Sequence, residues 1–107
     1  MSFLKDNLTI VIPCKNEGVG LASTLIKILA YHDCNVIIAD SSNDDTLDYL
    51  KGINFITNDY IKIINGGLPA IARNNGFEHV KTPYVLFLDA DMDISKIPLE
   101  NMLKTIV

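Results

Sequence analysis

The sequence predicts an α/β domain built on a mainly parallel sheet of about four strands flanked by helices. Three observations carry this expectation. Short β-branched and apolar runs recur as "LTIVIP", "NVIIAD" and "YVLFL". Segments of helical period or rich in turn residues separate them, the pattern of strand–helix–strand units with right-handed crossovers. The runs are apolar throughout instead of alternating, as expected where helices cover both faces of a parallel sheet.

Residues 8–13 ("LTIVIP") form the first buried strand, closed by Pro13. The helical period starts in 15–31, with Asn16 as N-terminal cap and Leu21, Leu25, Ile28 and Leu29 on one face. Residues 35–40 ("NVIIAD") are the second strand. A helix over 41–50 follows, capped by Ser42 or Asn43, with acids in its first turn where the helix dipole favours them. Residues 53–64 hold a strand near 61–64 and an extended piece at 53–57. In 65–80, glycines precede Pro69, a good first-turn residue. Leu68, Ala72, Gly76 and Val80 then share a face. Gly76 costs a helix up to ~1 kcal/mol against Ala, so it is expected to pack closely on the sheet. Residues 84–88 are the last strand, and 95–107 begin a final helix. Met102, Leu103, Ile106 and Val107 are still apolar at helical spacing where the sequence stops. No glycine or polar tail closes that segment, which predicts one domain over 1–107 that is a piece of a longer fold.

Composition narrows the function classes. The chain has 107 residues, 49% hydrophobic and 21% charged, a globular balance. A net charge of −4 argues against a nucleic-acid surface, which needs clustered Lys and Arg. No apolar run approaches the ~18 residues of a membrane span, and the N-terminus lacks a secretory h-region, so a cytoplasmic setting is expected. Cys14 and Cys34 fall at opposite ends of neighbouring parallel strands, too far apart for a disulfide. His32 and His79 lack any partner at zinc-ligand spacing and read as helix-end residues.

Ligands of open parallel sheets bind outside the carboxyl ends of the strands. That rule gathers Pro13, Asn16 and Glu17 with Asp40, Ser41 and the acids Asp89, Asp91 and Asp93, while Arg73 reaches in from the glycine-led helix. Asp40 alone reads equally well as a helix cap, Arg73 as an exposed helix residue, and the acid cluster as a solvated loop. Asp89 and Asp91, two positions apart, also suit a shared Mg²⁺ or Mn²⁺ whose other ligands are water and phosphate oxygens.

"IPCKNE" (12–17), "IIADSSNDDT" (37–46), "GLPAIARNNG" (67–76) and "YVLFLDAD" (84–91) occur in the order and spacing of family 2 glycosyltransferases. The chain resembles the donor-binding half of these inverting enzymes from about residue 8 to 95. The resemblance implies a Rossmann-like GT-A half-domain and, as partner, a nucleotide-sugar donor, usually a UDP-sugar. It implies that Asp40 hydrogen-bonds the nucleobase, that Pro13 and Glu17 wall the pocket, and that Arg73 lies near base and diphosphate. Asp89 matches a position near ribose and metal, and Asp91 the direct Mn²⁺ or Mg²⁺ ligand. Ser41 stands where the family carries a second acid. The acceptor site and catalytic carboxylate belong to a half of the fold that lies beyond this sequence, which leaves the acceptor unknown and an inactive nucleotide-binding module as the alternative. A receiver-type signalling domain is the other class that clusters acids at strand ends, but the Lys it needs after a later strand is missing. An exposed edge at 84–88, with the final helix, predicts a homo-oligomer.

Overall fold

The computed structural model describes residues 3–43 and 61–106. Its elements are α1 (Phe3–Asn7), β1 (Leu8–Cys14), α2 (Gly18–Tyr31), β2 (Asn35–Asp40), β3 (Ile61–Asn65), a 3-10 turn (Pro69–Ile71), α3 (Ala72–Phe77), β4 (Tyr84–Phe87) and α4 (Leu99–Ile106). The strands form one sheet in the order β3-β2-β1-β4, and every pairing is parallel. The α/β class, the parallel sheet and the flanking helices agree with the sequence. The helix expected over 41–50 is not formed at 41–43, and its remainder, like the extended piece at 53–57, lies outside the described residues.

β1 is central because its residues are apolar on both faces. Ile10, Val11 and Ile12 are fully buried. Ile10 and Ile12 join Val36 and Ile38 of β2 and Leu21, Leu25 and Ile28 of α2 in one cluster. Each such side chain contributes roughly 1.5–3 kcal/mol on burial. On the opposite face α3 lies against the sheet at Gly76. A Cβ there would stand 2.6 Å from Val11 Cγ1 and 3.4 Å from Ala39 Cβ, so only glycine allows this approach. The close packing expected of Gly76 is present.

Other local expectations are corrected. Helix α2 begins at Gly18 with Glu17 in the capping position, not Asn16. Asn16 instead adopts a left-handed backbone with φ 55°. The segment after Pro69 splits into a 3-10 turn and a short helix; Ala72 and Gly76 are buried but Leu68 is exposed. The final helix starts at Leu99, and Leu103 does find a core position while Met102 and Ile106 stay exposed. That position exists because residues 3–7, unassigned by pattern, form α1, which packs on α4. Asn35 Nδ2 donates to Lys5 O at 2.7 Å and ties α1 to β2. Both cysteines are buried and unpaired, as expected.

Candidate functional site

Parallel register aligns the strand ends. Cys14 pairs with Asp40, and Asp40 with Asn65. Ser41 N–H donates to Cys14 O and Gly66 N–H to Asp40 O, both at 2.8 Å, so the ladder runs one residue into each loop. Leu88 N–H donates to Val11 O at 3.0 Å and carries Asp89 to the same rim. Pro13, Glu17 and Ser41 line one cleft at this rim, Asp40 ends the neighbouring strand, and Arg73 is paired with Asp89.

The first two loops are locked together. Asn16 N–H donates to Ser42 Oγ at 2.8 Å, Asn16 Nδ2 to Asn43 Oδ1 at 2.9 Å, and Asn43 N–H returns to Asn16 Oδ1 at 3.0 Å. Asparagine tolerates the left-handed backbone better than most residues, which explains its use at position 16. Asp40 Oδ1 accepts Ser42 N–H at 3.1 Å, a local turn bond that leaves the second carboxylate oxygen for another donor.

A cleft of about 140 Å³ lies between these loops, lined by Pro13, Cys14, Lys15, Glu17, Ser41, Pro69 and Ala72. Among the described residues Ser41 Oγ is buried there without a hydrogen-bond partner. Leaving a buried hydroxyl unsatisfied costs about 1–3 kcal/mol, so a water or a polar ligand that reached this atom would be favoured. Gly66 makes room for it: a Cβ at 66 would stand 2.8 Å from Ser41 Oγ and 2.9 Å from the Ala39 carbonyl. Burial raises the Cys14 thiol above its ordinary pKa; the Glu17 backbone opposes this, and the Asp40 charge adds to it.

Arg73 Nη2 meets Asp89 Oδ1 at 3.2 Å, with both side chains 60% exposed. An ion pair that open is worth about 0–1 kcal/mol and is easily exchanged for another partner. Asp91 is exposed on the next turn of chain. No group of three or more His, Cys, Asp or Glu side chains able to hold a metal occurs among the described residues. Asp89 and Asp91 by themselves do not make a closed protein cage.

The acidic segment is anchored by residues that sequence reasoning passed over. Thr24 Oγ1 donates to Ala90 O at 2.6 Å, and His32 Nε2 lies 2.9 Å from Ile94 O. Both side chains are buried, Thr24 on α2 and His32 at its C-terminal cap. A hydroxyl within the apolar stripe Leu21–Leu25–Ile28 was the available signal for the first. Asp93 Oδ1 accepts Ser95 N–H at 2.9 Å and Oδ2 lies 3.3 Å from Lys27 Nζ. The Ser95 backbone, then its hydroxyl, and Lys27 hold the Asp93 carboxyl down to about 2.

An open parallel α/β sheet with a cleft and exposed acids at its carboxyl rim is the arrangement in which such folds bind their ligands. The family described as Glycosyl transferase family 2 matches residues 9–107, and the chain belongs to it. It is 31% identical over 107 residues to "Glycosyltransferase GlyA" of Streptococcus pneumoniae serotype 4, an alignment covering 95% of this chain and 15% of that protein. It is 37% identical over 101 residues to "Teichoic acid poly(glycerol phosphate) polymerase" of Staphylococcus epidermidis, covering 84% of this chain and 13% of the relative. The chain thus spans about one seventh of the length of these curated relatives.

Proposed function

We propose that this chain is the donor-binding region of an inverting glycosyltransferase, taking a nucleotide-diphospho-sugar on a uridine carrier together with Mn²⁺ or Mg²⁺. The observation that carries the reading is the rim cleft, where the unpartnered Ser41 hydroxyl lies beside Asp40. In this reading the free Asp40 oxygen accepts an N–H of the base, and Pro13 and Glu17 wall the ring. Ser41 takes a hydroxyl or carbonyl of the nucleoside. Arg73 exchanges its weak pair with Asp89 for the diphosphate oxygens, and Asp89 and Asp91 hold the cation. When bound, such a cation would offset the charge of the departing diphosphate by several kcal/mol.

Displacement at the anomeric carbon also needs an acceptor and a base. Asp93 is unsuited to be that base, because a carboxylate held near pKa 2 is a weak proton acceptor at neutral pH. The donor reading is tested by calorimetric titration of UDP with and without Mn²⁺. Binding is expected to require the metal and to be lost in Asp91→Asn. Equal affinity in the presence and absence of metal would overturn the assignment.

A further inference from the structure

A second cleft opens at the other end of the sheet, at the amino ends of β1, β2 and β3. It has a volume of about 230 Å³ and is lined among others by Thr9, Asn35, Lys62, His79, Lys81 and Thr82. Thr9 and Cys14 are separated along β1 by roughly 17 Å at ~3.3 Å per residue, so this cleft is separate from the rim. Among the described residues, its lining contains three side chains able to carry positive charge and no carboxylate. That is unusual on a chain of net charge −4.

The cationic groups are placed by specific contacts. His79 N–H donates to Gly76 O at 3.1 Å, which fixes the turn leaving α3. Thr82 Oγ1 donates to Tyr84 O at 2.9 Å and lies 2.7 Å from the buried Thr9 Oγ1. With its one hydrogen committed, Thr82 must accept from Thr9, and this chain of bonds pins the segment bearing Lys81 to β1. Lys62 Nζ lies 3.3 Å from His79 Nδ1. Only a neutral imidazole can accept that bond, so two groups that would repel if both were charged are held together. An anion bound beside both would offset the repulsion that arises when both carry charge. A lysine on an edge strand also discourages edge pairing, but that role leaves His79 and Lys81 unexplained.

We propose that this cleft is an anion site for a tetrahedral phosphate group, separate from the donor rim and independent of the reading given to it. At physiological ionic strength charges more than about 8 Å away are largely screened, so the net charge of −4 does not by itself exclude an anion from this cleft. A free ion, a monoester and a phosphodiester chain all present this group; the chemistry the cleft recognises is the same. The full chain is titrated with inorganic phosphate, and separately with a glycerol phosphodiester, while backbone and imidazole resonances are followed by NMR at constant ionic strength. Saturable shifts confined to Lys62, His79, Lys81 and Thr82 are expected, with the diester arm identifying the source. The Lys62→Gln, Lys81→Gln double variant should weaken binding at least tenfold and leave Mn²⁺-dependent UDP binding unchanged. Lys96→Gln, which removes an exposed lysine elsewhere, should titrate like the parent. Shifts spread over the whole surface, or equal loss in the double variant and Lys96→Gln, would sink the proposal.

Discussion

At the scale of single residues, Asp40 has two tasks that substitution can separate. Its Oδ1 holds the turn through Ser42 N–H, and its other oxygen is the one proposed above to meet the nucleobase. Asp40→Ala removes both and should weaken UDP binding by about 1.5–3 kcal/mol, the range for hydrogen bonds to charged groups. Asp40→Asn keeps a turn acceptor, so its urea midpoint should stay near that of the parent while UDP affinity falls. An Asn variant with full affinity would reduce Asp40 to its turn bond. Gly76→Ala should destabilise the fold: overpacking against Val11 costs about 1–3 kcal/mol, against at most ~1 kcal/mol gained from helix propensity. Shortening Val11 to Ala in the same chain should recover part of the loss. The two cysteines should be inert in the native state. Burial, followed by the Asp33 charge, pushes the Cys34 thiol up to about 12, and burial raises Cys14 as well. Thiol-reactive dye should label both only after urea is added, and rapid native labelling would contradict their placement.

At the scale of elements, the turn between Asp89 and Leu99 carries its own pH signature. A carboxyl whose folded pKa is depressed stabilises the fold above its unfolded value near 3.9. For Asp93 that contribution is lost as pH falls from there through about 2. A carbon-detected titration should place the Asp93 midpoint near 2, and Ser95→Ala should raise it only partly because the backbone donor remains. A midpoint at the ordinary value would mean that the turn is not formed. The strands were legible in the sequence because continuous apolar runs ending in Pro or Asp leave few alternatives, and register then fixed which residues share the rim. What escaped the sequence was set by contacts distant along the chain. Asn16 looked like a cap until Asn43, far along the sequence, was seen to claim its side chain. Leu103 looked unpartnered because α1, five residues long, has too few positions for a period to show. Ser41 drew notice for its place after a strand and as a departure from the family pattern; that its hydroxyl has no partner among the described residues is a property of the folded cleft.

For the molecule as a whole, the described sheet has β4 at one margin. Leu88 N–H points toward β1, so by strand alternation the backbone groups of Val85 and Phe87 point away from it. Phe87 and Phe77 lie with ring centroids 6.4 Å apart and are 42% and 54% exposed, and Met102 and Ile106 add further apolar surface. Such a margin is a template for pairing, so a two-fold dimer is expected. Light scattering over a dilution series checks it; a folded monomer at ~100 μM, well above the ~1 μM dissociation constant of a modest interface, would refute it. The sheet's order also sets a timetable. Thr9 on β1 is bonded to Thr82 beside β4 across 73 positions of chain. At the ~5–20 residues per second of a translating ribosome, roughly 4 to 15 s separate the synthesis of the two. For those seconds the central strand of the nascent chain has one flank without its native neighbour, and whatever shields it then, whether ribosome, chaperone or a transient mispairing, decides how much of the protein reaches the fold.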